Sequence, residues 1–212
     1  MIILNGKNSY YIPAYSRNRV SDYPVKDIYN SDFKFELKVK IDWKNLITGQ
    51  RAYGIASFNG MDMGVFCGVY GEQRMIMAQI WTDGEEKADM EEVFIDVNDD
   101  NDIFDIKFEY QYESKIVLSV NGITKELILK NKPVDYSQSM LWLGCCNNHP
   151  TTPENLKGNL TGEIYNFSLY SNDDCIAKYD FKKQTDFKTF DISGNGNHLV
   201  KTFIQDNIIL DY

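Results

Sequence analysis

Phe33-Lys-Phe-Glu-Leu-Lys-Val-Lys-Ile-Asp42 decides the fold. Phe33, Phe35, Leu37, Val39 and Ile41 fall on one side of an extended chain, and Lys34, Glu36, Lys38, Lys40 and Asp42 on the other. A helix scatters residues spaced by two around its surface, whereas a strand gathers them on one face. One apolar face and one charged face describe a strand with its back to water, as antiparallel sheets allow.

The same period recurs outward from this stretch. Strands are expected at Tyr53–Phe58, Val65–Tyr70, Arg74–Trp81 and Glu91–Val97, with turns at Tyr70-Gly-Glu-Gln73 and Thr82-Asp-Gly-Glu85. Ile106–Tyr110, Lys115–Val120 and Ile123–Leu129 follow, the last two joined by Asn121-Gly122. Asn-Gly tolerates positive φ at both central positions and predicts a type I′ hairpin. Met140–Gly144 reads as a short apolar strand, and Leu160–Tyr170 alternates with Tyr165, Phe167 and Leu169 on one face. Ile176–Phe181, Leu199–Phe203 and Ile208–Leu210 close the series; no stretch reads as a convincing helix, and the sequence allows at most one helical turn, around Asp173–Ala177. Short strands at regular spacing with turn signals between them predict an all-β antiparallel two-sheet sandwich, one domain over residues 1–212.

Bulk properties narrow the partners. The 212 residues include 43% hydrophobic ones, enough for a sizeable core, and the net charge is −9. Nucleic-acid binders need cations to displace counterions from phosphates. Here no basic run exceeds Lys182–Lys183, so neither nucleic acid nor an anionic membrane is an expected partner. No apolar run approaches the ~20 residues of a membrane span, and the N-terminus lacks the basic region of a signal peptide. The expectation is a cytoplasmically made chain, one able to join a surface or virion assembly. Cys67, Cys145, Cys146 and Cys175 have no metal-site spacing and read as free thiols of a reducing compartment.

Three segments resemble one family. Ile116-Val-Leu-Ser-Val-Asn-Gly122 is similar to the Val-Asn-Gly hairpin of the laminin-G-like jelly rolls of the concanavalin A type. Leu141-Trp-Leu-Gly144 with Leu156–Tyr170 resembles that family's paired strands, and Asp191-Ile-Ser-Gly-Asn-Gly-Asn-His198 its Ser-Gly-Asn-Gly-Asn turn. Ile3–Pro13 looks like its opening strand. The turn stands near the C-terminus here rather than near the N-terminus, which fits a jelly roll whose first and last strands are neighbours.

The resemblance implies a concanavalin A-like jelly roll. Glucanases of this architecture carry Glu-x-Asp-x-x-Glu on one strand, which supplies nucleophile and acid. That spacing is absent here, and Glu91, Glu92 and Asp96 have the wrong period. His149 and His198 stand in polar turns with no nucleophile beside them, and Ser193 sits in a backbone turn. The expectation is therefore no enzyme, but a module that binds carbohydrate on a loop rim or concave sheet face. The alternative is a structural or adhesive protein–protein module, such as a virion or cell-surface component. The candidate ligand-binding residues are Trp81, Tyr70, Tyr53, Asn147 and His149, while Trp142, flanked by leucines, reads as core. Calcium is the one candidate cofactor, because Asp191, Asn195 and Asn197 offer hard oxygens within seven residues. The other reading of Asp191 is an acceptor for the N–H groups of its own turn. Asn98–Asp102 reads as a solvated loop, and Asn159-Leu-Thr and Asn166-Phe-Ser are glycosylation sequons lying in expected strands.

Overall fold

The computed structural model describes residues 1–12, 28, 30–49, 52–58, 63–84, 88–97, 102–134, 141–145, 158–205 and 208–209. The strands among them are β1 (Ile2–Asn5), β2 (Asn8–Ile12), β3 (Phe33–Ile41), β4 (Tyr53–Phe58), β5 (Met63–Tyr70), β6 (Gln73–Asp83), β7 (Ala88–Asp96) and β8 (Ile103–Gln111). They continue with β9 (Lys115–Val120), β10 (Ile123–Ile128), β11 (Leu141–Leu143), β12 (Thr161–Ser171), β13 (Asp174–Tyr179), β14 (Lys188–Thr189), β15 (Leu199–Gln205) and β16 (Ile208–Ile209).

These form the two antiparallel sheets of a jelly-roll sandwich. The smaller, seven-stranded sheet runs β1-β12-β3-β8-β9-β10, with β13 on β12. The larger, nine-stranded sheet runs β14-β15-β2-β11-β4-β5-β6-β7, with β16 on β15. The pairing of β2 with β15 makes the two ends of the chain neighbours. No helix among the described residues is long and apolar enough to cross a membrane.

β3 shows why the sandwich forms. Its five apolar side chains are at most 3% exposed. They lie beside Phe104, Ile106, Phe108 and Tyr110 of β8, and beside Ile164, Phe167 and Leu169 of β12. Phe33 meets Phe58 of the other sheet at 5.2 Å between ring centroids, so the core is shared by both layers. The opposite face of the smaller sheet is a ladder of charges: Lys34–Asp173 at 2.6 Å, Lys38–Asp105 at 3.4 Å, Lys115–Glu126 at 2.9 Å, and Lys107 with Glu109. Such solvated pairs add little to stability; they keep this face in water.

The hairpin at Asn121-Gly122 forms as expected, with φ of 49° and 84°. Three expectations are corrected. The stretch Ile3–Pro13 is not one strand, because β1 and β2 belong to different sheets. Asp173–Ala177 is no helical turn: Asn172 and Asp173, both at positive φ, turn β12 into β13. Tyr165 leaves the face of Phe167 and Leu169 because a bulge between Ile164 and Asn166 shifts the phase by one residue. The core position falls to Ile164, and the Tyr165 hydroxyl donates to Glu163 Oε2 at 2.8 Å.

Candidate functional site

The outer face of the larger sheet differs from the charged face opposite. Register places Tyr11, Trp142, Ser57, Gly64, Gln79 and Glu92 in one row across β2, β11, β4, β5, β6 and β7. The next row holds Gly54, Phe66, Met77 and Phe94. Trp81 lies opposite Met90 on the other side. Aromatic, thioether and amide groups therefore occupy positions where the smaller sheet carries lysines and carboxylates.

The middle of this face is covered and its β6–β7 margin is open. Phe66 and Met77 form a buried cluster of their own, separate from the main core. Trp142 is buried against Tyr11, with ring centroids 4.9 Å apart. Met90 and Phe94 are exposed, Trp81 is half-buried, and the Lys125 ammonium lies 5.3 Å from the Phe94 ring. Gly64 has a steric reason: a Cβ there would lie 2.3 Å from the Ala56 carbonyl oxygen, next to the bulge that shifts register between Gly54 and Ala56.

Two polar side chains on this face have no hydrogen-bond partner among the described residues. Asn159 forms an isolated parallel bridge with Gly54. Its neighbour Leu160 points into the core, so the Asn159 side chain takes the outer side. It is 3% exposed, and neither its Nδ2 nor its Oδ1 is hydrogen-bonded. The Trp142 Nε1 is likewise unpaired. Buried polar atoms are nearly always satisfied in folded proteins, so an orphaned carboxamide is an anomaly that needs a cause. Nothing in the sequence marks Asn159 beyond its sequon, because the orphaned amide depends on a bridge to a residue 105 positions away.

The expected ligand residues do not form one site. Tyr53 is 4% exposed, and its hydroxyl accepts the Ile47 N–H at 2.7 Å, which places it in the core. Tyr70 is exposed, but it pairs with Gln73, eight residues along β6 from Trp81. At ~3.4 Å per residue the two aromatics stand roughly 27 Å apart. Asn147 and His149 lie outside the described residues, as does Cys146. Trp142 is buried as expected, though on the outer face of its sheet.

Asp191 organises its turn. Its Oδ1 accepts the N–H groups of Lys178 and Ser193 at 2.9 and 2.8 Å. Its Oδ2 accepts the Asn197 N–H at 3.0 Å and the Ser193 hydroxyl at 2.8 Å. The Nδ2 groups of Asn195 and Asn197 donate to the carbonyls of Cys175 and Ile176. The buried Tyr179 hydroxyl donates to the Asn197 carbonyl, and burial holds its pKa well above the ordinary value. Among the described residues no three His, Cys, Asp or Glu side chains converge on a metal position.

His198 closes the same turn by accepting the Asp191 N–H on Nδ1 at 3.1 Å. Burial, then the nearby Lys188, lowers its pKa below 6.5. The neutral ring makes the bond, so its stabilisation is complete above pH 6.5 and is lost as pH falls through the folded-state pKa. Melting temperatures of wild type and His198→Gln should therefore converge as pH drops below about 6.5, and a constant gap down to pH 5 would refute this.

Two clefts open at the ends of the smaller sheet. One, of about 670 Å³, gathers Lys40, Lys44, Arg74, Asp102 and Glu163 around Trp43. Asp102, the one described residue of the acidic loop, stands 3.9 Å from Arg74. The other, of about 310 Å³, is lined by Asp32, Lys34, Glu109 and Asp173. Cys67, Cys145 and Cys175 form no disulfide with one another; Cys67 and Cys145 are buried, and Cys175 is half-buried, where burial pushes its pKa up, away from thiolate reactivity.

No protein-family model and no curated protein matches the chain. Solved structures do resemble it. The binding domain of a botulinum neurotoxin of serotype D/C is 12% identical, covering 70% of this chain and 35% of its own, with a TM-score of 0.47. An alginate lyase from Pseudomonas aeruginosa is 12% identical, covering 79% and 84%, with a TM-score of 0.45. A SAP-like pentraxin from Limulus polyphemus is 9% identical, covering 77% and 75%, with a TM-score of 0.45. The chain thus spans about a third of the toxin binding domain it resembles. The presence of alginate lyases in this group corrects the expectation that the chain is no enzyme.

Proposed function

We propose that this chain is a laminin-G-like binding module that takes carbohydrate against the outer face of its nine-stranded sheet. The observation that supports this reading is the Asn159 carboxamide, buried without a hydrogen bond on a face of aromatic and thioether side chains. Neighbouring hydroxyls of a sugar ring match a carboxamide, one accepting from Nδ2 and the other donating to Oδ1. Trp81 and Phe94 lie three to four strand spacings from Asn159, roughly 14–19 Å, so at the open margin they offer aromatic surface to the apolar C–H side of a further ring of the same oligosaccharide. Millimolar affinity needs only about 4 kcal/mol, within reach of one stack and a few hydrogen bonds.

A glycan array, with and without calcium, identifies the sugar, and titration of the best hit compares variants. Asn159→Leu is expected to weaken binding about tenfold while holding or raising the melting temperature, since it removes an unsatisfied buried group. An array without hits, or a variant that binds as wild type, would defeat the proposal. Exposed Ile123 and Ile128 on the edge strand β10 favour a protein partner as the second reading.

A further inference from the structure

The lysines of this acidic chain are unevenly used. Those of the smaller sheet are mostly paired with carboxylates. By contrast, Lys178, on the β13 margin of that sheet, and Lys182, Lys183 and Lys188 beyond it form no ion pair with any described residue. Three exposed apolar side chains stand among them in the chain: Phe187 at 49%, Phe190 at 38% and Ile192 at 39%. Backbone bonds fix these parts together. The Phe190 N–H donates to the Lys183 carbonyl at 3.0 Å, and the Ile192 N–H to the Lys178 carbonyl at 2.8 Å. The Lys188 ammonium stands 5.7 Å from the centre of the Phe190 ring. Residues 178–201 hold five lysines against three aspartates, in a chain of net charge −9. One of those aspartates, Asp191, has both oxygens occupied within its turn.

We infer that this basic, aromatic patch docks the protein on the surface of an anionic phospholipid bilayer. Phenylalanine tips enter the interfacial zone while lysine stems lie along apolar surface and keep their ammonium groups at the headgroups. A peptide ligand is the poorer match. The patch includes no residue of either cleft described above, and its edge strand β14 has only two residues, too few to template an added strand. Chain-wide charge gives no hint of such a partner, but beyond ~8 Å the repulsion from the rest of the molecule is screened at physiological salt. Contact therefore depends on the patch itself and on its apolar tips as well as its charge. The Phe187–Phe190 part of the patch lies at the β14 edge of the larger sheet, seven strand spacings from β7, so it works independently of a ligand at Trp81 and Phe94.

Vesicle flotation of the full chain tests this, using phosphatidylcholine vesicles with and without phosphatidylserine. Wild type is expected to float only with phosphatidylserine, and less as salt rises. Lys182→Glu with Lys183→Glu should reduce partitioning at least roughly thirtyfold with unchanged melting temperature, and Phe187→Ser with Phe190→Ser at least about tenfold, measured well below the variant's own melting temperature because the Phe190 ring packs on His198. Failure to float with phosphatidylserine overturns the inference, as does flotation that the phenylalanine variant leaves intact. So does a wild type that self-associates without vesicles and becomes monomeric in that variant, because a second copy then covers the patch.

Discussion

Replacing Phe35 by alanine is expected to lower stability by about 4 kcal/mol, within the usual range for emptying a phenylalanine site. Phe35 is fully buried on β3, which pairs with β12 on one side and β8 on the other. Its ring stacks on Phe108 at 5.0 Å and lies 5.7 Å from Phe167, one aromatic from each neighbouring strand. Strands hydrogen-bonded on both sides cannot shift to fill the space, so the cavity persists. Against a total of roughly 5–15 kcal/mol for a domain, such a loss leaves the protein near unfolding at physiological temperature. Glu36→Ala is the control: same strand, same pairings, opposite face, and a change within about 0.5 kcal/mol. Urea unfolding of both variants measures the contrast. Equal losses would mean that the two faces of β3 are not what the alternation and the structure make them.

Phe35 also illustrates what is legible in the sequence. Alternation is a local property, and in β3 nothing interrupts it. Asn121-Gly122 is equally legible, because the turn depends on the φ range of two adjacent residues. Legibility fails where a non-local partner sets the phase. Tyr165 alternates correctly with Phe167 and Leu169 in sequence, but the bulge opposite Lys38 and Val39 turns it outward. Ile3–Pro13 resembles one opening strand, yet the chain changes sheets after Asn5. Tyr53 attracts attention for its ring, yet that ring joins the core and its hydroxyl accepts the N–H of Ile47, six residues back. The site suffers most from this limit. Asn159 carries no local mark of an orphaned amide, and the unpaired lysines around Phe187 differ from those of β3 only in what the fold brings near them.

The turn at Asp191 separates two explanations that the sequence leaves open, and its removal is the second large effect expected. Asp191→Ala deletes the acceptor of three backbone N–H groups and one hydroxyl, those of Lys178, Ser193 and Asn197. Hydrogen bonds to a charged acceptor are worth about 1.5–3 kcal/mol each. Lys178 and Ser193 have partial access to water, which replaces some of them, so a net loss of about 3 kcal/mol is expected. Neighbouring structure should loosen with it, because the same turn presents the Asn197 carbonyl to the buried Tyr179 hydroxyl and the Asp191 N–H to His198. The decisive comparison adds calcium. An ion held by this carboxylate would stabilise wild type by mass action, raising its melting temperature with calcium concentration, and Asp191→Ala would abolish that rise. If the carboxylate instead serves its own turn, wild type melts at the same temperature in calcium and in chelator, and the variant loses the same stability in both. The four donors already aligned on its two oxygens favour the second outcome. An ion would have to displace them, exchanging bonds of 2.8–3.0 Å that the fold provides, and no group of three described His, Cys, Asp or Glu side chains stands ready to replace them.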